Sequence, residues 1–134
     1  MLKDIPKNIV ENIAIAVVNE EDEGAVLVWN VYFLNLKNEK IENVLVTSRG
    51  YGTFEKDSVK TTTLRHSLGD IEPQNYKKIE LIIDKLFGLN NEYWISFFLK
   101  GTLYDKKYVF LPESIIEAHL TNIPLINKKG VMIK

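Results

Sequence analysis

The sequence predicts an all-β fold, an antiparallel β-sandwich of about seven strands. Three observations lead there. Strand-length runs of β-branched and aromatic residues follow one another at short spacing, separated by turns that carry Gly, Pro, Asn and Asp. No long helix is indicated and no internal repeat occurs. The run Ala25–Leu36 (AVLVWNVYFLNL) is apolar on both faces, interrupted only by Asn30 and Asn35. Such a strand belongs inside a layered structure, because a sheet with one wet face shows polar residues at every second position.

Met1 to Asn12 is mixed, and Pro6 before KNIVEN suits either a helical turn or a coil lead-in. Ile13–Asn19 is the first strand, with Ile13, Ile15 and Val17 on one face. Ala14, Ala16 and Val18 form the other, small enough to let a further layer approach closely. Glu20–Gly24 (EEDEG) reads as a solvated reversal with Gly24 at positive φ. It lacks the spaced ligands and distal Glu of a calcium loop.

After Ala25–Leu36, the turn Lys37–Lys40 places Asn38 where the left-handed region is tolerated. Ile41–Ser48 follows, with Val44 and Val46 on one face and Ile41, Asn43, Leu45 and Thr47 on the other. Arg49, Gly50, Tyr51 and Gly52 end that strand in a bulge or a close backbone approach. Phe54–Asp57 is a charged loop, Val59–Leu68 a polar edge strand, and Gly69–Pro73 a turn.

Asn75–Leu89 is ambiguous: Ile79, Ile82, Ile83, Leu86 and Phe87 keep helical spacing, yet Ile79, Leu81 and Ile83 also alternate. The β-rich surroundings favour a strand from Tyr76 to Ile83, then an irregular loop through Asn91. Tyr93–Tyr104 and Lys107–Leu111 form an aromatic hairpin across Asp105 and Lys106, stopped by Pro112. Pro112–His119 suits a short helical turn with Ser114 as cap. The tail 119–134 is apolar enough to pack on its own sheet or on a neighbouring subunit.

The totals narrow the function classes. A chain of 134 residues is expected to form one domain, spanning 1–134. Net charge is −1 with no concentrated basic face, which argues against nucleic acid as a partner. There is no cysteine, excluding disulfides, thiol catalysis and thiolate metal sites. No apolar run reaches the roughly 18 residues of a membrane helix. The N-terminus lacks the apolar core of a signal peptide, so a cytoplasmic location is expected.

Ser48, Arg49, Gly50, Tyr51 and Gly52 are the candidate ligand site. A guanidinium and strand-end N–H groups would converge there on a phosphate or carboxylate. The plainer reading is a bulge, with Arg49 paired to an acidic neighbour. His66 and His119 are the only imidazoles, and neither segment offers the three or four ligands zinc needs, so both read as surface residues. No nucleophile-elbow pattern supports a serine, histidine and acid relay. Aromatics fall on both faces of their strands, which marks Trp29, Phe33, Trp94 and Phe98, with Leu125 and Ile126 of the tail, as interface candidates.

The order of features resembles an immunoglobulin-like, specifically fibronectin-III-like, sandwich. More narrowly, Trp29 to Asn35, then Ser48-Arg49, then Pro73 to Glu80 resemble the layout of ApaG-type domains. That resemblance implies the sandwich and a phosphate-binding strand end. Where that family carries a glycine-rich stretch, this chain has TTTLRHSLGD. The chain also resembles small bacterial proteins sometimes called phenylalanyl-tRNA synthetases. It has neither a Rossmann glycine fingerprint nor room for an aminoacylation domain.

These readings lead to a non-enzymatic interaction module without cofactor or metal. It is expected to pair with itself, as a dimer, or to dock on a protein partner, away from nucleic acid and membrane. The alternative is a small-anion or nucleotide binder using Ser48–Gly52.

Overall fold

The computed structural model describes residues 8–134, so the reading of Pro6 and the preceding residues lies outside the described residues. The chain is all-β, with ten strands in two antiparallel sheets and no α-helix among the described residues. Among the described residues, no helix is long and apolar enough to cross a membrane.

The first sheet has β1 (Ile13–Glu21) at its centre, between β2 (Leu27–Asn35) and β10 (Lys129–Ile133). Outside these lie β6 (Asn75–Ile82) and the two-residue β9 (Thr121–Asn122). The second sheet is built on β3 (Ile41–Phe54), with β7 (Asn90–Leu99) and then β8 (Thr102–Phe110) on one side. On its other side, β4 (Asp57–Lys60) and β5 (Leu64–Ile71) lie along the two halves of β3.

The alternation in β1 decides the layering. Ile13, Ile15 and Val17 join Val31 and Phe33 of β2 and Val44, Val46, Tyr93, Ile95 and Phe97 of the second sheet in the main core. Ala14, Ala16 and Val18 point the other way and are covered by Ile123, Ile126 and Met132. The apolar tail therefore packs on its own sheet, where β10 pairs with β1 from Ile15↔Ile133 to Val18↔Gly130. The alanines make this possible, and so does Gly130, where a Cβ would lie 2.5 Å from the Val17 carbonyl oxygen. Both flanks of β2 are covered from Asn30 to Asn35, whereas Leu27 is exposed.

Several local readings are corrected. Ala25, not Gly24, takes the positive φ after the acidic reversal, because Asp22 Oδ1 accepts the Gly24 and Val26 N–H groups and fixes the turn. Asn43, not Asn38, is left-handed; it sits in a bulge that turns Ile41 onto the buried face with Val44 and Val46. The strand does not end at Ser48 but runs to Phe54, and Glu55 and Lys56, both at positive φ, make a tight hairpin turn into β4. The predicted edge strand 59–68 is two strands, and Gly69 lies within β5.

A second bulge, opposite Val31 and Tyr32, breaks the alternation of β6. Ile79 and Ile82 are buried while Leu81 and Ile83 are exposed. The loop expected after β6 contains a 3₁₀ turn, Asp84–Gly88. The aromatic hairpin turns at Lys100 and Gly101, both at positive φ, and not at Asp105 and Lys106, which lie inside β8. Ser114 caps no helix; its hydroxyl donates to the Leu111 carbonyl. The short 3₁₀ turn Glu117–His119 has no side-chain cap.

Candidate functional site

β5 closes one edge of the second sheet and β6 one edge of the first, and no ladder joins them. The two sheets gape along this seam into a cleft of about 200 Å³ bordered by Ser48, Gly50, Thr62, Glu80, Asn91 and Tyr93. Apolar walls come from Leu64, Ile82 and Leu86.

Glu80 is the centre of the cleft. Its Oε1 accepts from Ser48 Oγ at 2.6 Å and lies 2.8 Å from His66 Nε2; its Oε2 accepts from the Tyr93 hydroxyl at 3.2 Å. Residues of β3, β5 and β7 thus reach across the core to one carboxylate on β6. Burial, then the Glu80 charge and hydrogen bond, push the Tyr93 hydroxyl well above its usual pKa, keeping it a donor. The order is wrong for a nucleophilic relay: Ser48 and His66 both address Glu80, and the carboxylate stands between hydroxyl and imidazole. His66, expected on the surface, is a half-buried member of this group. Its pattern signal was its place two residues from Leu64 and Leu68 on a weakly alternating strand.

The predicted anion site does not converge. Alternation along β3 sends Arg49 and Tyr51 to the outer face, where both donate to Glu92. Gly50 points inward, and both of its backbone groups are taken: its N–H by Thr61 Oγ1 at 2.7 Å, its carbonyl by the Thr61 N–H at 2.8 Å. Gly52 continues the ladder to Val59. The plainer reading, Arg49 paired to an acidic neighbour, describes the geometry: Nε lies 3.0 Å from Glu92 Oε2.

The interface candidates divide. Phe33 is fully buried in the main core, and Trp29 is half-buried with its ring edge-on to Phe87 at 5.2 Å; both are corrected to core residues. Ile126 roofs the alanine face of β1, and Leu125 beside it is half-buried.

Trp94 and Phe98 stand on the outer face of the second sheet, 47% and 38% exposed. The register sets two leucines beside them that the sequence reading did not single out: Leu103 opposite Phe98, and Leu45 opposite Ser96 between the two aromatics. These are 51% (Leu45) and 52% (Leu103) exposed. The Trp94 indole N–H donates to Asp105 at 3.1 Å, and the Lys107 ammonium sits 5.2 Å over its ring.

A third polar group surrounds Glu20 on the outer face of the first sheet, where Asn30, Tyr32 and Lys128 all donate to it. No family model matches the chain, and no curated protein or solved structure proves similar to it.

Proposed function

We propose that the protein is a non-enzymatic interaction module that pairs with a second copy of itself through the outer face of the second sheet. The observation that carries this is the contiguous patch of Leu45, Trp94, Phe98 and Leu103, each more than a third exposed. Large apolar side chains scattered singly are ordinary on a surface; four brought together by register are not.

Two features favour a second copy as the occupant. Arg65 and Lys107 lie with Asp105 on the same face, so the rim carries both signs of charge and can complement itself. The sheet edges are blunted, which leaves the face: β8 carries Asp105, Lys106 and Lys107, β6 carries Lys77 and Lys78, and β9 has two residues. At ordinary strand spacing and rise the face covers roughly 600 Å² per copy, below the ~800 Å² of a standard interface. The expected dimer is therefore weak and concentration-dependent.

The sandwich itself we read as immunoglobulin-like with the fibronectin-III-like layout. In its support, β1, β2 and β6 have the order of strands A, B and E, and β5, β3, β7 and β8 that of C′, C, F and G. β9 and β10 extend the first sheet beyond that plan.

Sedimentation equilibrium across micromolar to millimolar protein tests the pairing. The mean mass is expected to rise toward twice the monomer, and Leu45→Ser with Trp94→Ser to hold it at the monomer while leaving the fold intact. A wild-type chain that stays monomeric at millimolar concentration overturns the proposal.

A further inference from the structure

The seam cleft is independent of the docking face, and its chemistry is one-sided. Glu80 is its only carboxylate, and no Lys or Arg side chain among the described residues pairs with it. Arg49 borders the cleft, but its guanidinium is committed to Glu92 on the opposite face of the strand. A carboxylate has about four acceptor positions. Ser48, His66 and Tyr93 use three of them here, the Tyr93 bond being the longest at 3.2 Å.

A second acceptor points to the same class of ligand. Asn91 is 4% exposed, and its Nδ2 donates to the Leu86 and Leu89 carbonyls. Its Oδ1 accepts nothing from the described residues and lies toward Gly50, 3.4 Å from where a Cβ there would stand. That oxygen is open to the cleft and not sealed: among the described residues, the fully buried side-chain polar atom left without a partner is Asn30 Oδ1, on the other sheet. Glycine at position 50 keeps the space before this oxygen open.

We infer that the cleft between β5 and β6 binds a small cationic hydrogen-bond donor, a guanidinium or primary ammonium group, between Glu80 and Asn91 Oδ1. Its volume of about 200 Å³ admits a group the size of a basic side-chain head. Pockets for drug-sized ligands run from about 300 Å³ upward, so a nucleotide is too large. A phosphate or carboxylate would also face Glu80. Two sources can present this chemistry, a free small amine or a basic side chain of another protein, and the test separates them.

The probes are arginine amide, n-butylamine, the neutral isostere butyramide, and an arginine-centred peptide beside its glutamine counterpart. Each is titrated into the folded protein while the amide resonances of Gly50, Leu81 and Asn91 are followed by NMR. The two cations are expected to give saturable shifts confined to the cleft, with millimolar Kd, and butyramide none. Glu80→Gln should weaken the cations at least tenfold. Gly50→Ala is the second variant: its φ is ordinary, and a methyl there meets Thr61 Cγ2 at 3.1 Å and Asn91 Oδ1 at 3.4 Å, so it should also weaken binding on a folded background.

A peptide that binds tenfold or more tighter than arginine amide identifies a protein side chain as the source; equal affinities identify the free amine. Absence of saturable shifts with either cation, or affinity unchanged in both variants, overturns the inference.

Discussion

A carboxylate drawn out of water needs donors in place of the solvent, and Glu20, Glu80 and Glu92 each find them on other strands. Glu20 allows a sharp test. Burial by itself raises its pKa, but hydrogen bonds from Lys128, Tyr32 and Asn30, with the Lys128 charge, outweigh burial and hold it below the ordinary 4.5. A folded value below the unfolded one contributes stability that is complete above the unfolded pKa. It is lost as pH falls through the folded value. Tyr32→Phe removes one donor to a charged acceptor and should cost about 1.5 kcal/mol in urea unfolding at pH 7. That cost should shrink toward zero in acid, once Glu20 is protonated in both states. At this scale the sequence exposes identities and hides partners: Glu80 reads as one polar position in β6, and only the fold brings Ser48 and His66 to it.

At the scale of elements, alternation located the strands, while bulges and turns set their registers. Each bulge adds one residue and moves everything beyond it to the other face. Strict alternation therefore puts Ile41 on the wrong side of Asn43 and Leu81 on the wrong side of the β6 bulge. The aromatic run alone leaves the hairpin turn at Asp105 and Lys106. Lys100-Gly101 takes the turn because Gly101 adopts φ +78° without strain and so aligns Phe97 with Tyr104.

Two glycines separate conformation from packing. Gly101 has nothing within 4 Å of its would-be Cβ, so Gly101→Ala should cost only the left-handed backbone penalty, about 1 kcal/mol. At Gly130 the new methyl meets Val17 O at 2.5 Å and Ile123 Cγ1 at 2.9 Å. Gly130→Ala should cost about 3 kcal/mol by forcing β10 from β1. Urea midpoints of the two variants check the order, and equal losses would contradict the close approach.

Across the whole molecule, stability should grade outward from β1, β3 and β7, which have ladders on both sides, to the short β4 and β9. Amide hydrogen exchange is expected to be slowest at Ile15–Val17, Val44–Val46 and Ile95–Phe97. Exchange in β4 and β9 should be at least ~10-fold faster. The apolar tail belongs to the slow class where β10 pairs with β1, since it completes the second cluster over Ala14, Ala16 and Val18. If β10 exchanged as fast as β9, the tail would be a detachable cover and not a structural strand.

The sequence by itself determined the all-β class, the interior position of the ribbon around Val31 to Asn35, and the small-residue face of β1. These follow from side-chain size and a two-residue period, which are local properties. Tertiary structure alone decided which aromatics are core, Phe33 and Trp29, and which are surface, Trp94 and Phe98. It alone brought Ser48, His66 and Tyr93 to the Glu80 carboxylate. Burial and polar partnership depend on what arrives from distant parts of the chain. A one-residue shift at a bulge is enough to change the answer.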